Sequence, residues 1–278
     1  MNTLSHDIPL GKSTEYPSSY DPGLLFPITR NQTREALGLN RSVILPFIGW
    51  DRWTGYELSW LNMRGLPQVG LLFVDFPCDS PNIIESKSFK LYLNSLNQSR
   101  FEGQEHLKRT LETDLAQACG SGVSVTIIPA QAFFSQTIQE LDGVDLDAQD
   151  IDITVFEPDA GLLKTQPGSG MTNEVLRSRL LKTNCPVTNQ PDWACVQIAY
   201  CGQAIDHAAL LRYIVSYRMH SGFHEQCVEQ IFMDILRVCK PQALSVYARY
   251  TRRGGLDINP WRATPGMAAP SSRRTARQ

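Results

Sequence analysis

Several signatures of common protein classes are absent from this 278-residue sequence. It contains no CxxC pair, which disfavours a ribbon-type structural zinc site. No GxGxxG motif follows a predicted strand, so a Rossmann dinucleotide fold is not supported. The longest apolar stretch near the start, residues 43–50, is interrupted by Pro46 and Gly49 and is far shorter than a membrane-spanning helix. We therefore expect no membrane segment, and the polar first residues predict no secretory signal.

A strong excess of charge is also missing, because the formal net charge is only −2. This balance argues against non-specific binding to nucleic acid or to a membrane surface. The seven cysteines give an odd count without disulfide-scaffold spacing, so we expect a reducing, cytoplasmic compartment and mostly buried, inert thiols. The hydrophobic fraction of 42% is sufficient for a core in each of two domains.

A pattern of strand, helix, helix and strand occurs twice, with equivalent features about 120 residues apart, which suggests an internal duplication. Apolar residues at helical spacing mark the longer helices, for example Leu107, Leu111 and Leu115. The predicted strands are 68–76, 123–128, 196–200 and 244–250. The predicted helices begin at about Ser86, at Phe101, after an Asp206 N-cap and at Phe223, and Pro241 ends the last of them.

Two consecutive helices joined by a short turn must lie side by side on one surface of a sheet. The sequence therefore predicts an α+β fold with antiparallel sheets that carry helices on one face. We expect a first domain over residues 1–145, including a polar N-terminal arm over 1–45, and a second domain over 146–278. The exposed edges of such sheets predict an oligomer, and the Pro/Ser/Arg-rich run 263–278 is expected to be ordered only by contact with a body or a partner.

The segment TNCPVTNQPDWAC, residues 183–195, is the first candidate for chemistry. Pro186 pushes the backbone of Cys185 into an extended conformation, and the polar surroundings predict a loop. Asp192 stands beside Trp193, and a carboxylate near an apolar ring can keep a raised pKa and donate a proton. From these residues alone, a loop thiol without a role remains the alternative.

Two further segments contain acidic residues near predicted helix starts. In IIESKSFKLY, residues 83–92, Glu85 could bind the edge of a base and Lys87 or Lys90 a phosphate, although composition alone favours an ordinary solvated helix face. In FHEQC, residues 223–227, His224 and Glu225 are adjacent. This is not the HExxH pattern, which needs two ligands at i and i+4, so a metal site is disfavoured.

The last segment, YTRRGGLDINPWR, covers residues 250–262 and follows a predicted strand. Arg252 and Arg253 could hold a phosphate in bidentate fashion, including the 2′-phosphate of NADPH. Gly254 and Gly255 permit close backbone approach and unusual dihedral angles. A basic hairpin turn without a ligand is the alternative.

Together, the segments IESKSFKLY, NCPVTNQPDW, FHEQCVE and YTRRGGLDINPW resemble the signatures of the 7-cyano-7-deazaguanine reductases of the queuosine pathway, in their long, tandem-domain form. The resemblance covers nearly the whole chain, from LGKSTEY to RRGGLDINPWR. It implies two tunnelling-fold domains, a homodimer and NADPH as cofactor, with no metal and no direct contact with nucleic acid. The implied reaction reduces a nitrile on a deazaguanine base to an aminomethyl group and consumes two NADPH.

The resemblance also implies a role for each matched position. Cys185 would add to the nitrile carbon and form a covalent thioimide, while Asp192 would protonate the nitrile nitrogen. A thiolate is required, so His224 or Asp192 could act as the base. The implied substrate contacts are Ile84, Glu85, Ser86, His224 and Glu225, and the implied NADPH contacts are Ser86, Lys87, Arg253 and Gly254.

Two other functions stay open at this point. One is a zinc-dependent, cyclohydrolase-like enzyme of the same fold family, with cysteine and histidine ligands. The other is a non-catalytic module that binds a purine or RNA, although the nearly neutral charge and the lack of a basic aromatic stripe argue against RNA.

Overall fold

The computed structural model describes residues 16–39 and 44–278 and divides them into two compact units. The described part of the first unit comprises residues 16–39, Trp50–Gln136 and Arg252–Ile258. That of the second unit comprises residues 44–49, Thr137–Thr251 and Asn259–Gln278. The predicted N-terminal arm lies partly outside the described residues.

The elements up to residue 136 include one antiparallel sheet in the order β5-β3-β2 and a separate antiparallel pair, β1 with β4. Short 3₁₀ turns occur at Pro22–Leu24, Glu35–Leu37 and Ala130–Ser135. The strands are β1 (Pro27–Thr29), β2 (Ile48–Leu61), β3 (Pro67–Pro77), β4 (Asn82–Ile84) and β5 (Ser124–Pro129), and the helices are α1 (Asn31–Arg34), α2 (Ser86–Ser95) and α3 (Gln104–Cys119).

The elements after residue 136 form a run of strands in the order β10-β9-β8-β7-β6, antiparallel except for the parallel pair of β6 with β7. Further 3₁₀ turns lie at Ala160–Leu162 and Tyr217–Met219. The strands are β6 (Val144–Asp145), β7 (Met171–Asn184), β8 (Pro191–Gln203), β9 (Ala243–Tyr250) and β10 (Leu256–Ala263), and the helices are α4 (His207–Ser216) and α5 (His224–Cys239).

The helices confirm the predicted apolar stripes. Leu107, Leu111 and Leu115 of α3 are fully buried in the core of the first unit, together with Leu72 and Phe89. On α5, the equivalent stripe of Cys227, Ile231 and Ile235 is fully buried as well. Burying a leucine-sized side chain stabilises a fold by about 1.5–3 kcal/mol, so these stripes determine which face of each helix meets its sheet.

The starts of α2 and α4 are capped in the same way by acidic side chains. Asp206 accepts a hydrogen bond from the backbone N–H of Ala209 at 2.8 Å, which confirms the predicted N-cap. Glu85 caps α2 through Lys87 and Ser88. Because each helix begins directly after an extended residue, the caps fix where the chain turns from strand to helix.

Three long strands, β2, β7 and β10, were not predicted. Most residues of β7 are polar or charged, and Pro260 lies inside β10, where a proline argues against a strand. The antiparallel α+β class is nevertheless confirmed.

The predicted domain division between residues 145 and 146 stays a prediction. The first compact unit gives way to the second between Gln136 and Thr137, and Val144–Asp145 pairs with β7 of the second unit. Within the described residues, the helices are too short or too polar to span a bilayer.

Candidate active site

Cys185 opens the six-residue connection between β7 and β8. Its N–H donates to the carbonyl of Gln190 at 2.9 Å, and the N–H of Asn189 donates back to the carbonyl of Cys185 at 2.9 Å. Asn189 has a φ of 57°, a left-handed conformation that asparagine tolerates. The predicted loop is therefore present, but it is closed by main-chain bonds, and Cys185 is only 6% exposed.

A second segment, residues 220–222, runs beside the cysteine and leads into α5. The N–H of Asn184 donates to the carbonyl of His220 at 2.8 Å, and the N–H of Gly222 donates to the carbonyl of Asn184 at 3.1 Å. Lys182 holds the Asn184 side chain through a 2.6 Å bond from Nζ to Oδ1. The main chain before the nucleophile candidate is thus fixed on both sides.

Asp192 lies on β8, not in the loop, directly opposite Thr183 of β7. Its side chain is 2% exposed, and its Oδ2 lies 3.3 Å from Nε2 of His224. Side chains alternate along a strand and recur on one face every second residue. Thr183 and Cys185 are two positions apart, so an extended backbone at Cys185 directs its thiol to the face that Asp192 occupies.

The same alternation contradicts one prediction. Trp193 is adjacent to Asp192 on β8, so its ring projects to the opposite face of the sheet. There it meets the guanidinium groups of Arg218 and Arg277 at 5.5 and 5.8 Å from its centroid. The expectation that Trp193 provides an apolar wall for the Asp192 carboxylate is wrong, because it treated this segment as a loop.

The aromatic partner on the correct face is Tyr250, the last residue of β9. It is opposite Ala194 of β8, two positions after Asp192. The ring of Tyr250 stacks on the ring of His224, with centroids 3.6 Å apart and 3° between the planes. The sequence contained no signal for this contact beyond the position of Tyr250 at the end of a predicted strand.

Glu225 and Cys227 follow His224 on the first turn of α5 and are buried. Burial raises the pKa of the Cys227 thiol well above its ordinary value, and the charges of Asp192 and Glu225 raise it further. Hydrogen bonding with Tyr250 and Thr183 partly offsets this rise. Cys227 is therefore a neutral thiol at physiological pH, in electrostatic contact with both carboxylates.

In the first unit, Glu85, the predicted contact to the base, caps the start of α2. Its Oε1 accepts the N–H of Lys87 at 2.9 Å, and its Oε2 accepts the N–H of Ser88 at 2.7 Å. The side chain is buried, as is the neighbouring Ile84. A carboxylate oxygen has more than one acceptor site, so the cap leaves acceptor capacity for a further donor.

The predicted NADPH contacts Ser86, Lys87, Arg253 and Gly254 also lie in the first unit. Gly254 has a φ of 56°, and a Cβ atom at this position would lie 3.4 Å from Nζ of Lys90. The glycine thus leaves a small space directly beside a lysine ammonium. The neighbouring Arg252 stacks over the ring of Tyr56 at 4.2 Å.

The predicted site residues are therefore divided between the units. Cys185, Asp192, His224 and Glu225 belong to the second unit, where Asp192 meets His224 and both carboxylates act on one thiol. Lys90, which the predicted cofactor contacts did not include, joins Gly254 in the first. For the zinc alternative, the described part of the chain contains no group of three or more His, Cys, Asp or Glu side chains placed to hold a metal ion.

Comparison with known proteins gives consistent matches along the chain. A family model described as "Nitrile reductase, 7-cyano-7-deazaguanine-reductase N-term" matches residues 16–127, and one described as "QueF-like protein" matches residues 191–268. Among solved structures, the apo form of an archaeosine synthase QueF-Like covers 35% of this chain and 96% of its own, with 15% identity and a TM-score of 0.31.

Curated relatives match over almost their full length. The NADPH-dependent 7-cyano-7-deazaguanine reductase of Bordetella pertussis is 56% identical over 270 residues, which is 97% of this chain and 98% of the relative. Proteins of the same name from Burkholderia ambifaria and Paraburkholderia phymatum are 55% and 53% identical with the same coverage.

Proposed function

The chain belongs to the family of NADPH-dependent 7-cyano-7-deazaguanine reductases, and we propose that Cys185 is the nucleophile with which it reduces the nitrile of this base. It is an oxidoreductase with tandem tunnelling-fold domains, and NADPH is its cofactor. The observation that supports the role of Cys185 is its fixed position at the end of β7, on the face of the hairpin that carries Asp192.

A nitrile is a weak electrophile, so the protein must activate it before hydride transfer. The sulfur of Cys185 forms a bond to the nitrile carbon, and one π pair of the triple bond moves to nitrogen. Asp192 supplies a proton to that nitrogen, which gives a neutral thioimide. NADPH, when bound, would supply one hydride to the thioimide carbon, and a second NADPH would supply another to the imine carbon. Between these hydride transfers the C–S bond breaks and Cys185 leaves as the thiolate, and a proton from the His224–Asp192 pair neutralises the nitrogen of the reduced imine.

His224 is the group that can exchange a proton with Asp192, because its Nε2 lies 3.3 Å from the carboxylate. The flat stack on Tyr250 holds the imidazole in the plane in which this contact is made. The proton that Cys185 loses can therefore pass to the His224–Asp192 pair, which returns a proton to the nitrile nitrogen.

Glu225 and Glu85 are the proposed acceptors for the purine-like base. A guanine-type edge presents neighbouring N–H donors, and a buried carboxylate such as Glu225 can accept them in bidentate fashion. Bases that lack these donors would leave a buried charge unpaired, which costs binding energy. Ile84, Ser86 and His224 complete the proposed contacts with the base.

The residues proposed for NADPH fit a phosphate-rich ligand. Arg253 and Lys87 supply positive charge, and Ser86 supplies a hydroxyl at the first turn of α2. Gly254 keeps space beside the Lys90 ammonium that a larger residue would fill. We assign Lys90 to this phosphate-binding group as well.

We also propose that the protein is a cytoplasmic homodimer. All seven cysteines lie within the described residues and none of them forms a disulfide there, which suits a reducing compartment. Each of the two runs of strands ends in an edge strand, β5 in one run and β6 in the other, and paired edges are a common basis of dimers.

The role of Cys185 is tested by Cys185→Ser, assayed by NADPH oxidation in the presence of the nitrile base and by intact-protein mass spectrometry. We expect turnover and the covalent adduct to disappear. The matched control is Cys201→Ser, since Cys201 is a partly exposed thiol of β8 without a proposed role. An adduct that persists in Cys185→Ser would contradict the assignment.

A further inference from the structure

Gln278 is buried in the second unit, with only 4% of its surface exposed. It lies in the Pro/Ser/Arg-rich run after β10, yet all four hydrogen-bonding positions of its side-chain amide are used. Its Oε1 accepts hydrogen bonds from Nε of Arg249 at 2.7 Å and from the N–H of Thr275 at 3.0 Å. Its Nε2 donates to the carbonyl of Tyr250 at 3.0 Å and to Oδ1 of Asn259 at 2.8 Å.

The two bonds from Nε2 act on the main chain of Tyr250. The carbonyl of Tyr250 accepts from Gln278 directly, and its N–H donates to Oδ1 of Asn259 at 3.1 Å. That same Oδ1 accepts the other N–H of Gln278. At the end of β9, side chains thus take the place of a neighbouring strand, and they fix both polar groups of the Tyr250 peptide backbone.

We infer that Gln278 is a positioning residue for the reduction, which it supports through Tyr250 and His224. The ring of Tyr250 stacks on the imidazole of His224, and His224 contacts the Asp192 carboxylate. A displaced Tyr250 backbone therefore moves the His224–Asp192 pair away from the geometry that proton transfer needs. This inference rests on the proposed function, in which these two residues handle the proton.

Other anchors of the same run do not involve Tyr250. Arg273 donates to Oε1 of Gln139 at 2.6 Å, and Arg277 donates to the carbonyl of Arg179 at 2.9 Å. Arg249 donates to the carbonyls of Ser272 and Arg273. The run can thus stay attached when the bonds of Gln278 to Tyr250 and Asn259 are removed.

The experiment compares Gln278→Glu and Gln278→Met with the control Arg273→Ala. Glutamate keeps the acceptor for Arg249 and Thr275 but loses both N–H donors, whereas methionine loses all four bonds. We measure kcat, the KM of NADPH, the thermal midpoint, and the NMR chemical shifts of the His224 ring in protein labelled at its histidines.

We expect kcat to fall about tenfold or more in both Gln278 variants, with an unchanged KM of NADPH and changed chemical shifts of the His224 ring. Arg273→Ala should keep the wild-type kcat and His224 signal. Wild-type kcat and unchanged His224 chemical shifts in Gln278→Glu would overturn the inference and would show that Gln278 only anchors the run after β10. If Gln278→Met does not fold, the Gln278→Glu readouts decide.

The NMR spectrum of His224 also separates this inference from the proposed function. It reports the position of the imidazole without any turnover. If Cys185→Ser retained activity, the proposed chemistry would fail. The coupling of Gln278 to His224 would still be accepted or rejected by the spectrum alone.

Discussion

The imidazole of His224 lies parallel to the phenol ring of Tyr250 at a centroid distance of 3.6 Å. The two residues stand at the start of α5 and at the end of β9, so this contact joins a helix start to a strand end. Aromatic pairs contribute about 0.5–1.5 kcal/mol beyond the area that they bury. The stack is therefore strong enough to select one orientation of the imidazole.

Removal of this stack should reduce turnover more than it reduces cofactor binding. In Tyr250→Leu, the imidazole loses its support, and we expect kcat to fall roughly tenfold, in line with about 1.4 kcal/mol of lost alignment. Tyr250→Phe keeps the ring and should retain most of kcat. Steady-state kinetics of both variants check this, and equal kcat values in Tyr250→Leu and the wild type would contradict it.

The role of Glu225 can be tested against Glu105, which has the same position on the corresponding helix of the first unit. Glu225 is the second residue of α5, as Glu105 is the second residue of α3, but Glu225 is buried whereas Glu105 is exposed. We expect Glu225→Gln to weaken binding of the nitrile base by about 1.5–3 kcal/mol, the range for a hydrogen bond to a charged group. Calorimetric titration of the base measures this loss, and Glu105→Gln should bind like the wild type.

Glu85 should show two separable effects. Glu85→Ala removes the N-cap of α2 and should lower the free energy of unfolding by about 1 kcal/mol in urea denaturation. Asp206→Ala removes the corresponding cap of α4 and should cost a similar amount. Only Glu85→Ala should also weaken binding of the base. Equal binding in both variants would show that Glu85 is a cap alone.

His220 should make the fold sensitive to mild acid. Burial lowers the pKa of His220 below its ordinary value of about 6.5, although the charge of Glu157 partly offsets this. The unfolded chain then binds the proton first as the pH falls. The associated stability is fully present above about pH 6.5 and is lost as the pH falls through the lower folded pKa.

The measurement is the free energy of unfolding between pH 7 and pH 5. In His220→Gln this free energy should decline less steeply with falling pH than in the wild type. Parallel pH profiles would show that His220 does not contribute to acid sensitivity.

The sequence predicted the parts of the fold that depend on local pattern. The buried stripe of Leu107, Leu111 and Leu115 and the Asp206 cap are properties of neighbouring turns, so periodicity and capping preference identify them. Strands such as β7 and β10 pair with a neighbouring strand through a short connection, but their own residues do not show a regular apolar alternation. Their polar residues and Pro260 obscured the pattern until the pairing was known.

The candidate site divides in a similar way. Residue types and resemblance were sufficient to select Cys185, Asp192 and Glu225, whereas the contacts of Tyr250 and Gln278 join distant parts of the chain. Trp193 shows the reason for the one wrong contact. Which face a residue occupies follows from whether the segment is a strand, and the polar segment that follows Cys185 and includes Trp193 was interpreted as a loop, whereas Trp193 lies in β8.

The two main-chain bonds between Cys185 and residues 189 and 190 order the proposed nucleophile before a ligand binds. A flexible cysteine would lose conformational freedom each time it captured a base, and every catalytic cycle would bear that entropy loss. Here the loss is incurred once, when the hairpin folds. The amides of Cys185 and Asn189 should accordingly exchange slowly with solvent even before any ligand arrives.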